Sequence, residues 1–175
     1  QTAERVGVAA VRYFMVKFSR TKVIAFDIDE ALAFEGESGP YLQYAVVRAN
    51  NIFQKLRDRD GLGVAEIAAA LPAHAPTGLS GDDNADRLWS LVLDAARLDD
   101  VVDTCIRTLE FAGLAKYAFG LAQGFNAVYH ALPIMNEERT DVRLWRAAAL
   151  GYVRHQLTAA LATMALKTLA WWLTG

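Results

Sequence analysis

The sequence holds a single cysteine, Cys105, so no internal disulfide can form and the fold must rest on its core. Its neighbours Val101, Val102 and Ile106 read as apolar packing around a buried thiol, and a reducing cytosol is the simplest setting for it. Phosphate-cradling glycine loops are missing. The three histidines, His74, His130 and His155, are too dispersed for ligand spacing, and no metal site is expected. Asp27, Asp29 and Glu30 do cluster, but a helix start accounts for acids at that spacing. Long apolar runs are also missing. Leu157 to Leu173 comes nearest, but Lys167 and several threonines interrupt it. It is too short to span a bilayer and reads as a core helix, with no membrane partner expected. No secretory signal is legible behind Gln1-Thr2-Ala3-Glu4-Arg5, and an opening on Gln1 in place of Met reads as that of a fragment.

What is there is the composition of a packed protein. Hydrophobic residues make up 54% and charged residues 22% of the 175, which argues against disorder and suits one domain that buries about two-thirds of its unfolded surface. The net charge of −2 speaks against a nucleic-acid partner until it is resolved along the chain. Residues 1–56 carry seven Lys/Arg against six Asp/Glu, residues 57–106 four against ten, and residues 107–175 seven against four. The acidity sits in the middle third and both ends are mildly basic. Any nucleic acid would then be held by local contacts more than by the overall field.

The chain is organised around the run from Gly39 to Leu56. Pro40 suits the first helical position, where no backbone N–H is needed, and Ser38 or Gly39 can cap before it. Leu42, Ala45, Val46, Ala49, Phe53 and Leu56 repeat at three- and four-residue steps and share one apolar stripe. Beside that stripe Tyr41, Tyr44, Arg48, Asn51 and Lys55 fall in line. Two rings, an arginine, an amide and a lysine are a poor core. They make a good platform for unstacked bases and phosphates, since a ring stacks on a base by about 1–3 kcal/mol and arginine can stack or pair with phosphate. The plainer alternative is a pair of half-buried tyrosines at a helix seam with solvated charges around them.

The rest of the chain reads as helical. Residues 3 to about 18 form a helix with Val8, Val11, Phe14, Met15 and Phe18 as its apolar spacing. Lys22 to Asp27 is an extended connector, and Asp27 or Asp29 caps a short helix from Ile28 to Phe34. Two glycines end the organising helix near Gly61, Val64 to Leu71 is one or two turns, and Pro72 to Asn84 is a surface loop. Asp86 to Ala96 turns Leu88, Trp89, Leu91, Val92 and Ala95 inward. Leu98 to Leu109, capped by Asp99 or Asp100, does the same with Val101, Val102, Cys105, Ile106 and Leu109. Ala112 to Leu132 sets Leu114, Tyr117, Ala118, Leu121, Phe125, Val128 and Leu132 on one side and Gln123, Asn126 and His130 on the other, with Tyr129 at the edge and Pro133 as the stop. The last helix starts at Arg139 or Thr140 and runs to about Thr163, with room to continue beyond it.

The run from Phe34 to Ala45 followed by Arg48 resembles the entry to the anticodon-binding (DALR) domain of class I arginyl-tRNA synthetases. Gly7 to Met15, Phe26-Asp27 and Glu30-Ala31-Leu32 resemble the same family's approach to that helix. Leu114 to Tyr117, Leu121-Ala122, Phe125-Asn126 and Tyr129 resemble its later bundle helix. The resemblance covers residues 4 to 60 strongly and 86 to 165 moderately.

It implies an all-α bundle of five to six helices over residues 1–175. Residues 1–34 would be the connection from a catalytic domain that is not in the sequence, and residues 61–85 an insertion loop. It carries anticodon contacts onto Tyr41, Tyr44, Arg48 and Tyr129, to which the helical face adds Asn51 and Lys55. Gln43 is expected to be structural, and Arg12 and Tyr13 to face the catalytic domain. The loop from Glu35 to Gly39 would lie beside the anticodon stem. Neither ATP signature of the class, His-Ile-Gly-His or Lys-Met-Ser-Lys, occurs. The segment is therefore expected to select tRNA without catalysing, and to need no cofactor, while the whole enzyme would join arginine to its tRNA with ATP and magnesium. The partners implied are arginine tRNA and the protein's own catalytic domain, in a cytoplasmic monomer. The family's closing Leu-Gly-Ile turn, proline and terminal Arg-Met are replaced here by Met164 to Gly175. The last helix is then free to run to Trp172, with Trp171 and Trp172 packing on the bundle or stacking on RNA. The competing reading is a free-standing helical adaptor that kept the fold and binds a partner protein.

Overall fold

Ser38 starts the central helix as its sequence requires. Its backbone is extended, its hydroxyl accepts from the Tyr41 N–H, and Pro40 occupies the first turn. In the computed structural model, which describes residues 2–71, 83–132 and 134–167, this helix is the third of eight. The order is α1 (Thr2–Val16), α2 (Ile28–Leu32), α3 (Gly39–Asp60), α4 (Val64–Ala70), α5 (Asp83–Ala96), α6 (Leu98–Thr108), α7 (Ala112–Ala131) and α8 (Thr140–Thr163). Six of them have 11 residues or more, and α2 and α4 are short. No strand occurs among the described residues. Asp27 caps α2 through bonds to the Asp29 and Glu30 N–H groups. Gly61 ends α3 in the left-handed conformation at φ 67°.

The core lies between α3, α5, α7 and α8, with α1 against α3 and α4 against α8. The stripe of α3 read from spacing is buried throughout, with Ile52 added to it. Leu114, Ala118, Leu121, Phe125 and Val128 of α7 are likewise buried. Gln43 is buried on α3, and its Nε2 donates to the Lys167 carbonyl at 2.7 Å, which ties α3 to the chain after α8.

Several expectations need correction. The inward face of α1 is Ala9, Ala10, Tyr13 and Phe14, whereas Val8, Val11 and Met15 are exposed. Small residues line the contact because α1 crosses the start of α3 so closely that a Cβ on Gly39 would collide with the Ala9 carbonyl. Tyr13 therefore faces no outside partner. It is fully buried, its hydroxyl donates to the Ala115 carbonyl at 3.1 Å, and burial pushes its phenol well above the ordinary range. Arg12 is exposed and donates to the Ala165 carbonyl.

Trp89, Ile106 and Leu109 are exposed as well. Leu88, Leu91 and Ala95 already fill the inward line of α5, and Trp89 falls about 100° from Leu88. Helix α6 touches only α5 and α7 among its larger contacts, so only a narrow line through Leu98 and Cys105 is covered. No side chain caps α6; Arg97 stands at the position expected for an aspartate.

The last helix ends at Thr163, where the spacing places its end, and the optional continuation toward Trp172 is broken at Met164 and Ala165. Ala165 takes a φ of 54°, its N–H bonds the Ala162 carbonyl, and the Leu166 N–H bonds the Leu161 carbonyl, both at 2.8 Å. This is a Schellman ending built without glycine, and the burial of Leu166 at 1% exposure holds it closed. The surface loop from Pro72, the stop at Pro133, and Trp171 and Trp172 lie outside the described residues, except that Asp83 and Asn84 already belong to α5.

Replacing Gly39 by Ala would place Cβ 2.7 Å from the Ala9 carbonyl carbon, a backbone atom that cannot swing away. Gly39→Ala is expected to destabilise by about 1–3 kcal/mol in urea unfolding, despite the better helix propensity of alanine.

Candidate nucleic-acid interface

Two helices supply the site. On α3, Tyr44, Arg48, Asn51 and Lys55 follow one another at helical spacing on the flank away from the buried stripe. On α7, Asn126, Tyr129 and His130 sit at i, i+3 and i+4 and face them. Packing of α3 on α7 brings the two rows together.

Arg48 is the centre. Its Cζ lies 4.7 Å over the Tyr44 ring and 5.1 Å over the Tyr129 ring, so the guanidinium stands between two aromatic faces. Its Nη2 donates to the Tyr44 hydroxyl at 3.0 Å and its Nη1 to Asn126 Oδ1 at 2.7 Å. His130 Nε2 lies 3.4 Å from the same Nη1, where the tautomer with Nε2 unprotonated can accept. Asn126 uses its other end as well, donating from Nδ2 to the Tyr41 hydroxyl at 3.0 Å. One amide thus fixes a ring and a cation of α3 from across the helix pair.

The result is an open groove of about 620 Å³. Tyr44, Arg48, Asn51, Lys55, Tyr129 and His130 line one part of it, and Ile52, Leu132, Ile134, Met135 and Asn136 the other. No carboxylate of the described residues lines it. The rings remain accessible, Tyr44 at 47% and Tyr129 at 36%. A flat, polarisable group can reach the rings, an anion can reach Arg48 and Lys55, and the apolar end can cover a ring face.

Five of the six residues expected from the sequence therefore meet in one groove. Tyr41 does not. It is half-buried, with its ring 5.5 Å from that of Phe119 and its hydroxyl on Asn126, so it supports the platform from behind. Asn126 and His130, seen in the sequence only as the polar side of α7, belong to the site. Their spacing to Tyr129 was the signal, since all three share one helical face. Ile134, Met135 and Asn136 follow the end of α7 and have no periodicity to betray them.

Residues 42–170 match the DALR anticodon binding domain. The arginine–tRNA ligase of Methanococcoides burtonii is 37% identical over 164 residues, which is 94% of this chain and 27% of that protein. That of Thermobifida fusca is 35% identical over 161 residues, 91% of this chain and 25% of the relative. This chain thus spans about a quarter of the length of these curated relatives. Among solved structures, Thermus thermophilus arginyl-tRNA synthetase superposes with a TM-score of 0.76 at 28% identity, over 95% of this chain and 26% of that one. Plasmodium falciparum arginyl-tRNA synthetase shares the fold at a TM-score of 0.75 and 18% identity, over 97% of this chain and 27% of that one.

Asn126→Ala would leave the Tyr41 hydroxyl and one edge of Arg48 without their partner. A loss of about 1–3 kcal/mol in unfolding free energy is expected, together with a broadened Arg48 Nε–Hε resonance as the guanidinium gains freedom.

Proposed function

Because the chain belongs to the DALR anticodon binding domain family, we propose that it is the tRNA-selecting part of an arginyl-tRNA synthetase. The observation that carries this reading is the Arg48 guanidinium held between the Tyr44 and Tyr129 rings in an open groove. Splayed anticodon bases stack on the exposed tyrosine faces, and Arg48 engages a phosphate or a base edge. Asn51 and Lys55 extend the contact along α3, and Tyr41 keeps the platform in place through Asn126. No catalytic role falls to any of these side chains. In this reading the joining of arginine to tRNA with ATP and magnesium belongs to parts of the protein other than these 175 residues, and the protein works as a cytoplasmic monomer.

Preorganisation supports the assignment. Arg48 is already fixed by two hydrogen bonds, so binding need not freeze a long flexible side chain. Around the groove the local charge is positive although the chain as a whole is −2. Affinity is therefore salt-dependent and modest.

The test is a titration of the chain with arginine tRNA and with a version substituted in the anticodon. The cognate tRNA should bind more tightly, and Tyr44→Ala should weaken it by about 1–3 kcal/mol, roughly 5- to 150-fold, with little change in Tm because Tyr44 is half exposed. Equal, feeble binding of both tRNAs would support a protein-binding adaptor instead.

A further inference from the structure

A second cation lies on the opposite flank of α3 and takes no part in the groove. Arg154 of α8 extends across α3 with its Cζ 4.5 Å over the ring of buried Phe53, and its Nη1 donates to Asn50 Oδ1 at 3.2 Å. The crossing is close there, since a Cβ on Gly151, one turn earlier, would come within 3.3 Å of Phe53. Arg57 shares this flank, one turn beyond Phe53 and two beyond Asn50, and its side chain is exposed.

Arg154, like Arg48 in the groove, has no counter-ion among the described residues. A cation withdrawn from solvent is normally paired, as buried Arg146 is with Glu137 at 2.7 Å. None of the ion pairs among the described residues includes Arg154 or Arg57. Asp58, the acid on the neighbouring ridge, accepts from Gln54 at 2.8 Å, and Glu66 is not within ion-pair distance of either arginine. Burial, and after it the charge of Arg57, hold the Arg154 guanidinium below its ordinary pKa. Two guanidinium groups, one half-buried and fixed on a ring and an amide and one exposed, are left with donors to spare.

We propose that Arg154 and Arg57 form a phosphate-binding site on this second flank of α3. Two planar forks can give several hydrogen bonds to the oxygens of one phosphate, and the bound anion supplies the counter-charge that Arg154 is without. The phosphate belongs to an RNA backbone that crosses α3 from the groove, or it is a free phosphate ion. Asn50 and Asn51 are consecutive residues turned to the two flanks, so a strand over the exposed edge of α3 can reach both sites.

The test uses the full chain and Arg154→Met, which keeps an apolar stem on Phe53 and removes the charge. Arginine tRNA is titrated at several salt concentrations, with Tyr44→Ala as a separate control of the groove. Inorganic phosphate is titrated while the Arg154 Nε–Hε resonance is followed by NMR. If RNA is the source, Arg154→Met lowers tRNA affinity about three- to tenfold and flattens the slope of log affinity against log salt by about one, with Tm unchanged or raised. If the free ion is the source, phosphate shifts the Arg154 resonance saturably, the shift weakens in Arg57→Gln, and tRNA binding is untouched. The proposal is overturned if phosphate leaves the resonance unmoved and Arg154→Met changes neither affinity nor slope. In that case a weakened Tyr44→Ala leaves the groove assignment standing, and an unaffected Tyr44→Ala removes both.

Discussion

Burial of the apolar stripe of α3 dictates where every polar side chain of that helix can go. Leu42, Ala45, Val46, Ala49, Phe53 and Leu56 are covered together, and a helix that seals one side this fully has only its two flanks and one edge left for solvent. On one flank α7 supplies Asn126, Tyr129 and His130; on the other α8 supplies Arg154. Both clusters of cations and rings follow from the packing of a single helix against two neighbours. A slip of α3 against α7 by one residue would turn Arg48 by about 100° and separate it from both its rings.

The groove joins stability to recognition through one amide. Asn126 has both ends occupied, one by Tyr41 and one by Arg48, so the α3–α7 seam and the binding platform cannot be altered independently. Arg48 gains a fixed direction from this arrangement and keeps an accessible edge. Its partners are neutral, so its charge is not cancelled before a ligand arrives. An Asp at position 126 would hold the guanidinium more strongly and repel the phosphates that the groove is proposed to meet.

Much of this was legible in the sequence because α3 is a long helix with a clean period. Ser38 and Pro40 marked its start, Gly61 its end, and the row from Tyr44 to Lys55 its open flank. The errors fell where a residue's neighbours decide its burial. Val8, Val11 and Met15 have the right spacing for a core, but only small residues fit where α1 meets the backbone at Gly39. Trp89, Ile106 and Leu109 are apolar enough for an inward face, although α5 and α6 are covered only along narrow lines. The end near Thr163 is legible in the spacing, whereas its closure on an alanine at positive φ, held by burial of Leu166, is not, because alanine carries no signal for that conformation. The site had the same limit. Tyr41 belongs to the row by spacing, and only the position of Phe119 and Asn126 turns it inward.

The claim that RNA bases are received between Tyr44, Arg48 and Tyr129 is tested most directly by NMR of the chain with an arginine anticodon stem-loop. Ring signals of Tyr44 and Tyr129 and the Arg48 Nε–Hε resonance should shift together and saturate with one stem-loop bound, while those of Tyr13 and Tyr117 stay in place. Shifts confined to α5 and α6, with the groove resonances unmoved at saturation, would contradict the account.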